Sequence, residues 1–131
     1  MTAKPILIVD DTSNILLTVS KALEKLGLGV ETTAYAEDAL LRLSRGEYSI
    51  VLLDLELWGM GGLEMLKRVR EKWPDLPVLI ITAYGTPEAE EEARSLGAAG
   101  FVVKPFSPRE IRERVAAVLG LSERRPGPPA S

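Results

Sequence analysis

Ile50-Val51-Leu52-Leu53-Asp54 is four apolar residues in succession, closed by a carboxylate. A strand with one wet face alternates apolar and polar residues. This run does not, so it reads as a short strand buried on both faces, the habit of parallel sheets covered by helices. Outward in both directions the same design recurs: Ile6-Leu7-Ile8-Val9 leads to Asp10-Asp11, Val78-Leu79-Ile80-Ile81 to Thr82, and Phe101-Val102-Val103 to Lys104-Pro105. A fifth run, around Gly29-Val30-Glu31-Thr32, carries no such group. In such sheets ligands lie outside the carboxyl ends of the strands, where the strand order reverses. Three carboxylates, a hydroxyl and an amine are therefore expected to converge on one rim, a set suited to phosphate chemistry.

Segments with helical spacing separate the runs. Leu16, Val19, Leu23 and Leu26 mark the first, ended by Gly27, and Ala39, Leu40 and Leu43 mark the second, ended near Gly46. Leu63, Leu66 and Val69 mark a third, stopped by Trp73-Pro74. A fourth opens at Thr86-Pro87, a cap with proline in the first turn, and ends at Gly97. The fifth opens with the capping-box pattern Ser107-Pro108-Arg109-Glu110 and shows Ile111, Val115 and Val118 on one face. Strand and helix alternate five times, the pattern of an α/β fold with a parallel sheet, right-handed crossovers and helices on both faces.

Composition narrows the function. The chain has 131 residues, enough for one ordinary domain, and 16 Lys plus Arg against 19 Asp plus Glu leave a net charge of −3. Nothing in that balance points to a nucleic-acid or membrane surface. Without cysteine there are no disulfides or thiolate metal sites, and without histidine there is no imidazole ligand, base or phosphoryl carrier. Carboxylates are left to do the chemistry. No signal-like or membrane-spanning apolar stretch is present, so a soluble, cytoplasmic protein is expected. After Leu121 the composition turns to Ser122-Glu123-Arg124-Arg125-Pro126-Gly127-Pro128-Pro129-Ala130-Ser131, which offers nothing to bury. Residues 4–120 are read as the folded domain and 121–131 as a flexible tail or a linker cut short.

Asp10, Asp11 and Asp54 form an all-oxygen set suited to a hard cation such as Mg²⁺. Packed together without a cation they would repel each other, so a metal and the clustering explain one another. Asp10-Asp11 also reads as a simple cap for the helix beginning near Thr12-Ser13. Lys104, alone, would be an ordinary solvated amine; beside a cis-prone Lys-Pro bond at a strand end, opposite three acids, it reads as functional.

Together these residues resemble the receiver domain of two-component response regulators over residues 4 to about 120, through the phrases Ile8-Val9-Asp10-Asp11, Leu53-Asp54-Leu55 and Val103-Lys104-Pro105-Phe106. The resemblance implies a CheY-like, flavodoxin-like sheet of order 2-1-3-4-5. It implies Mg²⁺ on Asp10, Asp11, Asp54 and the backbone carbonyl of Glu56, and Asp54 as acceptor of a phosphoryl group from a histidine kinase or histidine phosphotransfer protein. The Asp54 carboxylate would attack phosphorus to give an acyl phosphate, with Mg²⁺ and Lys104 neutralising charge. Thr82 and Phe101 would be the switch, the hydroxyl bonding a phosphoryl oxygen and the ring then turning inward. Such a protein is a signalling switch whose only catalysis is of its own phosphorylation and dephosphorylation.

Departures from the family's pattern follow the acceptor, where this chain reads Leu55-Glu56-Leu57-Trp58-Gly59-Met60-Gly61-Gly62. Three glycines in four positions are expected to loosen the loop. If extended backbone persists, Glu56 faces the same way as Asp54 and its side chain either raises metal affinity, slows loss of phosphate, or points to solvent. Trp58 either covers the loop or meets the phosphodonor. On the fourth helix–fifth strand–fifth helix face, Glu88, Glu90, Glu91 and Glu92 stand against Arg109, Arg112 and Arg114. Such charges support a two-fold homodimer or are simply solvated. Two other classes compete with the phosphorylated switch. A phosphorylation-independent binding module would usually have lost one of the key residues, and none is lost here. A Mg²⁺-dependent aspartyl phosphohydrolase would need a second acid after the nucleophile, for which Glu56 is the only nearby candidate.

Overall fold

A computed structural model describes residues 4–57 and 60–121. The five runs form strands β1 (Ile6–Val9), β2 (Val30–Thr33), β3 (Ile50–Asp54), β4 (Val78–Thr82) and β5 (Gly100–Val103). They alternate with helices α1 (Ser13–Glu24), α2 (Ala36–Arg45), α3 (Gly62–Lys72), α4 (Pro87–Ser95) and α5 (Pro108–Leu119). All strand pairs are parallel and the order is β2-β1-β3-β4-β5. The order reverses between β1 and β3, the position at which such sheets bind ligands, and Asp10 and Asp54 stand at the carboxyl ends of those two strands.

Because successive side chains of a strand point to opposite faces, each apolar run feeds two cores. Leu7, Val9, Val51, Leu53, Ile80 and Phe101 pack with α2, α3 and α4. Ile6, Ile8, Ile50, Leu52, Leu79, Ile81 and Val102 pack with α1 and α5. β1, β3 and β4 are buried throughout. β2 is only half-buried because it is an edge strand, and its Glu31 accepts hydrogen bonds from Tyr48 (2.7 Å) and Arg42 (3.3 Å). The desolvated Tyr48 phenol, held by that carboxylate, has its pKa pushed up to about 12.

The starts of α4 and α5 follow side-chain caps. Thr86 Oγ1 and Ser107 Oγ accept from the N–H groups of Ala89 (3.1 Å) and Glu110 (3.0 Å), with proline at the start of each helix. α1 stops at Glu24, two residues before the Leu26 that ended its apolar spacing, and Gly27 follows at φ +80°, a left-handed conformation that favours glycine. At the end of α3, where Trp73-Pro74 breaks the helix, the Arg70 guanidinium donates to the carbonyls of Trp73 (3.3 Å), Pro74 (2.6 Å) and Leu76 (2.8 Å). Of the three glycines after β3, Gly62 has a steric reason of its own. A Cβ on Gly62 would stand 2.5 Å from both the Asp54 carbonyl oxygen and Leu55 Cα, so glycine is there because α3 starts against the backbone at the end of β3. The Gly62 N–H also donates to the Leu55 carbonyl at 3.1 Å.

Gly59 and Trp58 lie outside the described residues, as does the tail from Ser122 onward. Among the described residues no helix is long and apolar enough to cross a membrane.

Candidate functional site

Asp10 follows β1 and Asp54 closes β3; since those strands are neighbours in register, their ends bring the two acids together. Carboxylate oxygens of Asp10, Asp11 and Asp54 all lie within 4.8 Å of one another. Asp10 is fully buried and Asp54 2% exposed. One oxygen of Asp10 accepts from the Thr12 N–H (2.8 Å), a turn ahead of α1 rather than the helix cap read from the sequence, since Thr12 is the N-cap and α1 has no side-chain cap bond; the other oxygen accepts from Lys104 Nζ (2.9 Å). Lys104 Nζ stands 3.4 Å from the second oxygen of Asp54, whose first accepts from the Glu56 N–H (3.0 Å). The ammonium thus bridges two of the three acids from the end of β5, beside a cis Lys104–Pro105 peptide.

The electrostatics follow from this packing. Burial pushes the Asp54 carboxyl up to about 6; the Asp10 charge adds to the rise, against the Glu56 N–H and the Lys104 ammonium, which lower it. The Lys104 ammonium is held above its ordinary pKa by the hydrogen bond and charge of Asp10 and by Asp54, although burial opposes this. Asp11 Oδ2 is buried with no hydrogen-bond partner among the described residues. A buried carboxylate oxygen left available within a three-acid cluster is a hard oxygen donor, so the donor set fits a hard divalent metal held by oxygen.

Thr82 is fully buried at the end of β4. Its hydroxyl donates to Glu56 Oε2 at 2.6 Å and accepts from the Tyr84 N–H at 3.1 Å, while the Ala83 N–H makes a longer contact, 3.4 Å, to Glu56 Oε1. The Glu56 side chain is therefore engaged across β4 and takes no place in the three-acid group. Extended backbone ends at Asp54, so the premise that aimed the side chain alongside the acceptor does not hold.

Pairing Ile80 with Phe101 puts the ring on the same face as Thr82, one diagonal away, and the ring lies inside at 4% exposure. Without the hydroxyl of a tyrosine, its burial strands no donor. The residue missed by sequence reasoning is Arg114, read only as a surface charge. Its Nη2 donates to the Phe101 carbonyl at 2.9 Å, satisfying an acceptor on edge strand β5 and tying α5 to the ring's own residue. Its position three residues after the buried Ile111, at the border of the apolar stripe of α5, was the available signal. On the same face Glu90 pairs with Arg94, and Arg109 with Glu113, within their own helices.

The model of the response regulator receiver domain matches residues 6–116. The chain belongs to that family. Among relatives, the receiver is 35% identical over 120 residues to the alkaline phosphatase synthesis transcriptional regulatory protein PhoP of Bacillus subtilis, covering 92% of this chain and 50% of PhoP. It is 38% identical over 114 residues to the response regulator protein FleR of Pseudomonas aeruginosa, covering 87% of this chain and 24% of FleR. The chain thus spans half or less of these relatives. Among solved structures, a CheY-like receiver domain protein from Methanospirillum hungatei JF-1 superposes with a TM-score of 0.85 at 30% identity, covering 91% of this chain and 95% of that one. Chemotaxis protein CheY4 of Vibrio cholerae gives a TM-score of 0.83 at 32% identity, covering 90% and 99%.

Proposed function

We propose that this receiver is a phosphorylation-activated switch that takes a phosphoryl group onto Asp54 from a phosphohistidine on a histidine kinase or phosphotransfer protein. The observation that carries the reading is the Lys104 ammonium lying against Asp10 and Asp54 within the buried three-acid cluster. An Asp54 oxygen attacks phosphorus, the oxygen–phosphorus bond forms as the nitrogen–phosphorus bond breaks, and the partner's imidazole departs with the electron pair and takes up a proton. The nucleophile needs no base, since a carboxyl of pKa about 6 is mostly ionised at neutral pH. Lys104 faces the reacting carboxylate and neutralises charge gathering on the transferred group, as phosphoryl transfer requires. Thr82 and the backbone of Ala83 carry hydrogen-bond donors on the strand beside Asp54.

Asp10, Asp11, Asp54 and the Glu56 carbonyl are the residues that would hold Mg²⁺. Bound there, Mg²⁺ offsets the charge of the cluster and of the phosphoryl oxygens. The output is a change of the α4–β5–α5 face toward a partner or a second copy, in the cytoplasm. Incubation with acetyl phosphate followed by intact mass measurement tests the reading. A single Mg²⁺-dependent phosphoryl adduct, absent from Asp54→Asn, is expected; an adduct that survives the substitution would remove Asp54 from the role.

A further inference from the structure

The side chain of Glu56 is out of place for a metal ligand and well placed for something else. A hydroxyl has one proton to give. That of Thr82 goes to Glu56 Oε2 over 2.6 Å, while the oxygen already accepts from the Tyr84 N–H. The Ala83 N–H points to the other Glu56 oxygen. These donors project from the end of β4, the strand paired with β3 through Asp54 and Ile81. A phosphoryl group on Asp54 would bring anionic oxygens to that same place. Glu56 is anchored by its backbone, whose N–H donates to Asp54 Oδ1, but its side chain is exposed and has room to leave.

We propose that Glu56 is a positioning residue that latches Thr82 in the unphosphorylated receiver: its carboxylate stands where a phosphoryl oxygen would, and phosphorylation of Asp54 displaces it. The inference rests on Asp54 as the acceptor. The latch works against activation by withholding the hydroxyl. Glu56 also repels an incoming anion through its charge, but only the withheld hydroxyl depends on Thr82, so the two effects can be separated.

The test titrates beryllium fluoride, a phosphoryl mimic, into the Mg²⁺-saturated receiver and its Glu56→Ala, Glu56→Gln, Thr82→Val and Glu56→Ala/Thr82→Val variants. Valine keeps the shape of threonine and lacks the hydroxyl. Losing a charge-assisted hydrogen bond that competes with the ligand tightens binding by about tenfold in Glu56→Ala. Glu56→Gln, which keeps an acceptor without the charge, gains less. In the Thr82→Val background the gain falls below about twofold, because the latch is already open. Without Mg²⁺ or ligand, amide-resolved NMR of Glu56→Ala shows the Ala83 and Tyr84 resonances moved. Equal affinities with and without Glu56, in proteins that all bind the mimic, overturn the latch and leave the acceptor reading intact. A gain undiminished in Thr82→Val also overturns it and assigns the effect to charge repulsion. If no protein binds the mimic, the acceptor reading fails and takes the latch with it.

Discussion

At Asp54 two demands conflict. In its proposed role Asp54 must be ionised to attack phosphorus, yet its strand carries it into the end of the sheet, where water is scarce and Asp10 is near. Burial first, then the Asp10 charge, raises its pKa from the ordinary 3.8 to about 6. The folded state therefore binds an extra proton between those values, and metal-free stability falls as pH rises through that window. Asp54→Asn has no such penalty. In denaturant unfolding with a chelator present, the variant is expected to match wild type near the low end of the window. It should become more stable as pH rises toward 6 and keep a constant advantage above it, at most about 3 kcal/mol. A difference that does not grow with pH would mean that burial does not set the charge state of Asp54. This residue's position was legible because it closes an apolar run. The bonding of Glu56 was not, since it depends on how the chain turns immediately after Asp54, and alternation along a strand says nothing once the strand has ended.

Among the elements, the start of α3 is the most constrained. The helix begins so close to β3 that a methyl group at residue 62 would collide with backbone, which cannot swing aside as a side chain can. Gly62→Ala is expected to cost about 2–4 kcal/mol and to reduce phosphorylation of Asp54 by moving the acceptor strand end. Gly61→Ala, at φ −67° with nothing within 4 Å of the added carbon, should change stability by less than about 1 kcal/mol. Thermal unfolding and adduct yield on both variants check this, and equal effects at the two sites would remove the steric explanation. From sequence, the same glycines signalled a loose loop, because a glycine admitted for flexibility and one admitted for close approach look alike. The caps of α4 and α5 were legible, since Thr86-Pro87 and Ser107-Pro108 carry both a side-chain acceptor and the preset φ of proline. The end of α1 was not, because Leu26 continues the apolar spacing beyond the last helical turn and packs from a turn instead.

For the whole molecule, alternation of five strand-like runs with five helically spaced segments was sufficient to read an α/β sheet, and the strand order came from resemblance rather than from periodicity. A metal that binds only when the three acids are assembled stabilises the entire fold by mass action, by about 2.7 kcal/mol at a hundredfold excess over its Kd. Mg²⁺ is expected to raise the unfolding temperature saturably, and Asp11→Asn to weaken that response without abolishing the fold. A response to Mg²⁺ unchanged by Asp11→Asn would show that the unpartnered Asp11 oxygen is not a ligand. The sheet also divides the molecule's interior: Ile6, Ile8, Leu52 and Ile81 answer to α1 and α5, whereas Leu7, Val9, Leu53, Ile80 and Phe101 answer to α2, α3 and α4. Among the described residues the two layers form separate apolar clusters, so substitutions placed far apart in different layers are expected to combine nearly additively. The exception is Arg114, which reaches from α5 to the Phe101 carbonyl, so sequence change on the α1–α5 side is tolerated independently of the other layer everywhere but at that one tether.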